Sequence, residues 1–129
     1  MTFLATGDWV TPERLRRIAT VSCVISLLCV AWLLGTSHGT LDSSGRPLGT
    51  DFSNVWTAGQ MVLDGRAAAV WSWPDHFAVQ QAVHGSPTVD VFGWHYPPPF
   101  LLLAALLATL PYVPALILWQ LTTLGSFLA

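Results

Sequence analysis

Two long stretches without a charged residue decide what this chain can fold into. The first covers residues 18–34 and follows a cluster of three arginines, and the second begins after Asp90 and continues to Ala129. A helix of about 20 apolar residues crosses the hydrocarbon core of a bilayer. Only 9% of the residues are charged and 53% are hydrophobic, whereas soluble domains carry roughly 25% charged residues. The composition therefore predicts an all-α integral membrane protein.

The first apolar stretch is predicted to be a transmembrane helix over residues 18–36. Thr11 is a typical N-cap, Pro12 suits the first helical position, and Glu13 is favoured near the positive end of the helix dipole. The arginines that follow keep residues 1–17 in the cytoplasm by the positive-inside rule, which places residues 37–96 on the outer face. We therefore expect a multi-pass protein of the cell (inner) membrane with a cytoplasmic N-terminus.

A cleaved signal peptide is the alternative interpretation of the same stretch, because a basic segment precedes an apolar one. The apolar stretch is longer than the usual core of a signal peptide, and residues 35–37 form only a mediocre cleavage site. A retained anchor is the interpretation that these features favour.

Residues 37–96, the polar insert, are predicted to hold two short helices after a loop at residues 36–50. From Asp51 onward apolar residues recur at helical spacing until Asp64 and Gly65 supply a stop, which predicts an amphipathic helix lying at the membrane surface. The second helix is predicted over residues 74–84, with Gly85 as a left-handed cap. Its apolar face carries Val79, Ala82 and Val83.

Prolines interrupt the second apolar stretch and divide it into two predicted membrane helices. Membrane helix 2 is expected over residues 97–110, and a turn and the start of membrane helix 3 over residues 111–129. A single kinked span is the alternative, but Pro111 and Pro114 together favour a turn. Because the last apolar helix stops without a polar flank, the chain is expected to be the N-terminal part of a longer protein.

Several motifs follow one another in order between residues 49 and 119. They are Gly-Thr-Asp-Phe, then Ala-Gly-x-x-x-Leu-Asp-Gly, then Trp-x-Tyr-Pro-Pro-Pro-Phe, and finally Leu-Pro between two apolar helices. This order resembles the start of the bacterial family 87 glycosyltransferases, which include polyprenyl-phosphate-mannose-dependent mannosyltransferases. The matching residues are Asp51, Phe52, Ala58, Gly59, Leu63, Gly65, Tyr96, Pro97, Pro98, Phe100, Leu110, Pro111 and Trp119.

The resemblance implies a membrane glycosyltransferase of the GT-C class. Such an enzyme transfers a hexose, for example mannose, from a polyprenyl-phosphate sugar donor to a lipid or glycan acceptor on the outer face. The catalytic base of the family is an acidic residue just after the first span, which corresponds to Asp51. From the residues alone, Asp51 is an equally good N-cap for the helix that it precedes. The remaining C-terminal spans of the parent protein would complete the donor site.

Four further residues are predicted to bind substrate. Arg46 and Arg66 are the basic residues of the polar insert and can pair with a phosphate, although each also suits a solvated or headgroup-facing position. His95 can donate to a phosphate or relay a proton, or can simply be an interfacial polar residue. Tyr96 lies beside it and can instead fix the direction of the next helix. The tryptophans of the insert are expected in an aromatic belt, namely Trp56, Trp71, Trp73 and Trp94.

Other classes of function find less support in the sequence. The chain has no basic cluster beyond the first arginines, which disfavours nucleic-acid binding. No spacing predicts a metal site built by the protein, and a requirement for a divalent metal is left open. The alternative function is a small non-catalytic membrane protein whose outer-face insert binds a partner or membrane lipid.

Overall fold

The structure, a computed structural model, describes residues 10–128. Within these residues it is all-α, as predicted, with five α-helices and one short 3-10 helix. The chain divides into two compact units, residues 1–36 and 37–129. The predicted cytoplasmic tail up to residue 9, and Ala129, lie outside the described residues.

The first unit consists of helix α1, Pro12–Gly35, which begins where the sequence predicts. The Thr11 hydroxyl accepts a hydrogen bond from the Arg14 backbone N at 3.3 Å, so Thr11 is the N-cap. Twenty-four residues of helix extend about 36 Å, more than the roughly 30 Å of a bilayer core. Among the described helices, α1 alone is long and apolar enough to cross a membrane. An N-terminal anchor and a signal sequence share these properties.

Helix α2, Asp51–Leu63, has the predicted bounds but forms the centre of the second unit. Eight of its residues are buried, including the polar Ser53, Asn54 and Thr57. The burial of these polar side chains was not predicted, and the position of this helix at a membrane surface stays a prediction. Two of these polar side chains bond to distant segments: the Asn54 amide donates to the Gly93 carbonyl oxygen at 2.9 Å, and the Ser53 hydroxyl lies 2.7 Å from the His84 Nε2.

Helix α3, Trp73–His84, confirms the second predicted helix and follows a 3-10 helix, Ala67–Trp71, that was not predicted. Gly85 ends α3 with φ of 63°, as expected for a left-handed cap. The buried face of α3 is polar, since it carries His76, Gln80 and His84 at intervals of one turn. The apolar face with Val79, Ala82 and Val83 is not the buried one, since Ala82 is exposed and Val79 and Val83 are only half-buried.

The second apolar stretch forms α4, Phe100–Ala108, and α5, Tyr112–Leu128, which confirms two helices rather than one kinked span. The turn between them ends at Pro111, immediately before α5. Helix α4 is shorter than the predicted helix at both ends, because residues 97–99 and 109–110 are not helical. Its nine residues extend only about 14 Å.

Helices α2 and α4 pack at backbone distance through a glycine. A Cβ atom added at Gly59 would lie 2.1 Å from the Ala104 carbonyl oxygen and 2.7 Å from the Ala108 Cβ. One face of α4 is buried in this contact, whereas Leu102 on its other face is 77% exposed. Any side chain at position 59 would force the two helices apart.

Two side chains of α2 also fix the end of α4. The Gln60 amide donates to the Ala108 carbonyl oxygen at 2.7 Å, and the Trp56 indole donates to the Leu110 carbonyl oxygen at 3.0 Å. The last carbonyl groups of a helix have no partner inside the helix. The Gln60 bond therefore satisfies the end of α4 from within the unit, and the Trp56 bond attaches the turn that follows it.

Candidate functional site

A pocket of about 490 Å³ lies in the second unit at the start of α2. Its volume falls in the range of roughly 300–1,000 Å³ found for small-molecule sites. Three predicted site residues, Asp51, His95 and Tyr96, meet in its lining although Asp51 lies far before the other two in the sequence. The lining residues are Asp51, Asn54, Trp73, Val91, Phe92, Gly93, His95 and Tyr96.

Asp51 is the first residue of α2, and its side chain is exposed. Thr50 occupies the N-cap position with φ of 35° and makes no capping bond with its side chain, so the N-cap interpretation of Asp51 is wrong. A β-branched residue rarely adopts a positive φ, and such strain collects at functional sites. Within residues 10–128, no hydrogen bond or ion pair holds the Asp51 carboxylate. It is placed to accept a proton from a ligand in the pocket.

His95, Tyr96 and Trp73 give the pocket an aromatic wall. The His95 ring lies edge-on to the Trp73 ring, with 5.9 Å between the centroids, and Tyr96 stacks on Phe100 at 4.8 Å. A Cβ atom at Gly93 would lie 2.7 Å from the Trp73 ring, so only glycine permits this position of the indole. Trp73 is half-exposed and can offer an aromatic face to a ligand.

The remaining side of the pocket is residues 91–93, which two amide side chains hold in place. The Gln80 amide accepts from the Phe92 backbone N at 3.0 Å and donates to the Phe92 carbonyl oxygen. Asn54 donates to the Gly93 carbonyl oxygen, while its own buried Oδ1 has no partner within the described part of the chain. Asn54 was not predicted as a site residue, although it lies one turn after Asp51 and so shares its helix face.

A buried histidine joins the loop after α1 to helices α2 and α3. The His84 Nε2 lies 2.7 Å from the Ser53 hydroxyl, and its Nδ1 lies 2.8 Å from the Thr40 hydroxyl. Burial lowers the pKa of His84 below its ordinary value. A serine beside a histidine is the pair used in nucleophilic catalysis, but both side chains are buried. The pair therefore serves to hold the unit together.

Other polar groups in this core are left without partners. Both ring nitrogens of His76 and the Thr57 hydroxyl are buried and unpaired as far as residues 10–128 are concerned. Burial lowers the pKa of His76 from 6.5 to about 4, so the ring is neutral at physiological pH. Trp94 is also buried, and its expected place in an aromatic belt is therefore wrong.

The two arginines that were predicted to bind substrate are not in the pocket lining. The Arg46 Nε lies 3.2 Å from the Asp90 carboxylate, and an Arg66 guanidinium nitrogen lies 3.5 Å from the Asp75 carboxylate. Both pairs are largely exposed, and exposed ion pairs contribute at most about 1 kcal/mol. Either arginine can therefore exchange its partner for a phosphate, and its role in substrate binding stays a prediction.

Asp51 is the one formally charged side chain in the pocket lining. Within residues 10–128, no three His, Cys, Asp or Glu side chains come close enough together to hold a metal ion. No protein-family model, curated protein or solved structure matches the chain. The resemblance to the family 87 glycosyltransferases thus stays a prediction.

Proposed function

We propose that this chain is part of a GT-C-like membrane glycosyltransferase and that the pocket beside α2 is where the acceptor reacts. The enzyme transfers a hexose from a polyprenyl-phosphate sugar to a lipid or glycan acceptor on the outer face of the cell membrane. One observation carries the proposal: the Asp51 carboxylate, unpaired among the described residues, shares a pocket with His95 and Tyr96. Two of these residues, Asp51 and Tyr96, also belong to the motifs that carry the resemblance.

In the proposed reaction Asp51 is the general base. Its carboxylate takes the proton of an acceptor hydroxyl, whose oxygen then attacks the anomeric carbon of the donor sugar. The bond between that carbon and the phosphate oxygen breaks, and the polyprenyl phosphate leaves with the bonding electrons. The aromatic face of Trp73 orients the acceptor above the carboxylate.

The departing phosphate needs positive charge to stabilise it, and the pocket lining carries none. We propose that Arg46, Arg66 or cationic groups of further membrane spans supply this charge, with a divalent metal as another source. The further spans make the protein multi-pass and are the partners of this chain. The 129-residue chain alone is accordingly expected to give no measurable transfer.

Replacement of the proposed base tests this function. We expect Asp51→Asn to abolish transfer of labelled hexose from a polyprenyl-phosphate donor in membranes that contain the protein expressed from its natural reading frame. The amide keeps the size of the side chain but cannot take the proton. Asp64→Asn is the matched control, because Asp64 is an exposed carboxylate at the other end of α2 and is not in the pocket lining.

Loss of transfer in Asp51→Asn with full transfer in Asp64→Asn supports the assignment. Full transfer in both variants would show that Asp51 is not the base. Transfer that is absent even in the unmodified protein, with several hexose donors, would argue against the enzyme altogether.

The alternative function, a non-catalytic binding protein of the membrane, is favoured by the chemistry of the pocket. Its lining offers aromatic surface, one amide side chain and one carboxylate, which suit a neutral ligand with hydroxyl groups. Binding of neutral glycosides to the purified chain, measured by quenching of tryptophan fluorescence, together with no transfer by the natural protein, would support this function.

A further inference from the structure

The contacts of α4 and α5 determine where the chain can cross a membrane after the polar insert. Helix α4 is too short to do so, at about 14 Å against the roughly 30 Å of a bilayer core. It also packs on α2, through the contact of Gly59 with Ala104 and the bond of Gln60 with the Ala108 carbonyl, and Trp56 bonds to Leu110 in the turn that follows. The turn at residues 109–111 is therefore attached to α2.

The first half of α5 returns to the same unit. The Tyr112 hydroxyl donates to the Leu48 carbonyl oxygen at 2.6 Å, and the Tyr112 ring packs edge-on against His84. Ala115 and Leu116 are buried, and the Leu116 side chain packs against Gly49. Because residues 112–116 contact the loop that directly follows α1 in sequence, no crossing of the bilayer fits between residues 97 and 116.

From Ile117 onward α5 has the properties of a helix in lipid. Its large apolar side chains up to Phe127, other than Trp119, are exposed, and no charged residue follows Asp90. The hydroxyl groups of Thr122, Thr123 and Ser126 bond to backbone carbonyls of their own helix, which hides them from an apolar solvent. The exposed apolar residues of this half are Ile117, Leu118, Leu121, Leu124 and Phe127.

We propose that α4 does not cross the membrane and that the chain enters the bilayer in the second half of α5, from Ile117 onward. The occupant of that exposed surface is the acyl chains of the lipid. The turn at residues 109–111 then lies on the same side of the membrane as the polar insert, and not on the opposite side as two successive membrane helices would require. This assignment is independent of any catalytic role.

The assignment also places the pocket next to the membrane. Trp119, at the level where α5 leaves the unit, lies 6.4 Å from Phe52 and 6.3 Å from Phe100, measured between ring centroids. Phe52 follows Asp51 in the chain, and Phe100 stacks on Tyr96. A tryptophan at this position suits the headgroup level of a bilayer.

Cysteine labelling of the full chain in bacterial spheroplasts tests the assignment. Cys23 and Cys29 are first replaced by serine, and single cysteines are then introduced by Thr109→Cys in the turn and Ser126→Cys near the end of α5. Ser43→Cys, in the exposed loop of the polar insert, and Thr6→Cys, before α1, serve as the references for the two sides. The probe is a membrane-impermeant sulfonated maleimide, added before and after permeabilisation.

We expect the maleimide to label Thr109→Cys to the same extent as Ser43→Cys, and at the same stage, before or after permeabilisation. Thr6→Cys should be labelled at the other of these two stages. Ser126→Cys should react only after the membrane is dissolved in denaturing detergent. Thr109 is exposed, and its hydroxyl donates to the Leu106 carbonyl oxygen of the preceding helix, so cysteine fits there.

Four results would overturn the assignment. If Thr109→Cys is labelled at the same stage as Thr6→Cys, α4 crosses the bilayer. If Thr109→Cys is labelled only in denaturing detergent, the turn lies within the membrane. If Ser126→Cys reacts with the reagent in intact or permeabilised spheroplasts, α5 does not enter lipid. Oxidation of the Ser126→Cys variant to a crosslinked dimer would assign the exposed surface to a second copy of the chain instead.

Discussion

At the scale of single residues, the second unit depends on buried polar side chains more than its composition indicates. The Gln80 side chain forms hydrogen bonds with both the backbone N and the carbonyl oxygen of Phe92. The His84 ring lies within hydrogen-bond distance of the Ser53 and Thr40 hydroxyls. A buried donor or acceptor that loses its partner costs about 1–3 kcal/mol. The shape of the pocket therefore depends on side chains that do not face a ligand.

Stability at low pH should depend on His76. Its pKa is about 4 in the folded protein and 6.5 in the unfolded chain, so the unfolded chain binds more protons between these pH values. The stabilising contribution is complete above about pH 6.5 and is lost as the pH falls towards 4. We expect the free energy of unfolding to fall by about 2 kcal/mol between pH 7.5 and pH 5 through His76 alone.

Thermal unfolding in detergent micelles at several pH values measures this dependence. His76→Leu removes the titrating ring, so its unfolding should depend less on pH than that of the unmodified chain. The burial of His84 acts in the same direction and leaves a smaller dependence in the variant. Equal pH dependence in both proteins would contradict the assignment to His76.

Two adjacent glutamines offer a matched test of the support behind the pocket. Gln80→Leu removes both bonds to Phe92, and we expect the free energy of unfolding to fall by about 1–3 kcal/mol. Gln81→Leu removes one exposed bond to the Pro87 carbonyl oxygen and should change stability by less than about 0.5 kcal/mol. Denaturant unfolding followed by tryptophan fluorescence compares them, and equal losses would show that Gln80 has no special role.

At the scale of elements, the sequence predicts helix ends well because their signals are local. Thr11 and Pro12 start α1, and Gly65 and Gly85 end α2 and α3, each through conformations set by one or two residues. The buried face of α3 could not be predicted in this way. Its partners, such as Phe92 and Ser53, become neighbours only once the chain has folded.

The contact between α2 and α4 can be tested with two glycines that both lie within helices. Gly59→Ala places a Cβ atom against the Ala104 carbonyl oxygen, and we expect this overpacking to cost about 1–3 kcal/mol. Gly125→Ala on α5 meets no atom within 4 Å and should be neutral or should stabilise by up to about 1 kcal/mol, since alanine favours helix. Equal melting temperatures for the two variants would contradict the close contact.

At the scale of the whole molecule, the sequence predicts an all-α chain with a long apolar helix and a pocket residue at Asp51. His95 and Tyr96 are neighbours in the sequence. They share a pocket with Asp51 once α2 packs near residue 95. The contributions of Asn54, Trp73 and Gln80 follow from tertiary packing, which spacing along the chain does not encode.

Retention of α1 is a prediction about the whole chain. If α1 is an anchor, the protein purified from membranes keeps residues 1–36. The 129-residue chain then has an intact mass of 14.0 kDa. Cleavage as a signal peptide near residue 36 would remove about 4 kDa. Intact-mass spectrometry distinguishes the two, and the shorter product would exclude the anchor.

The missing side chain at Gly59 has a consequence for motion. Helices whose backbones touch cannot slide past each other without a clash, since no flexible side chain lies between them to adjust. Helix α2, with Asp51 at its start, and α4 should consequently move as one rigid body. Any gate that admits a ligand must then lie in the rest of the pocket lining, which is Trp73 of α3 and residues 91–96 with His95 and Tyr96.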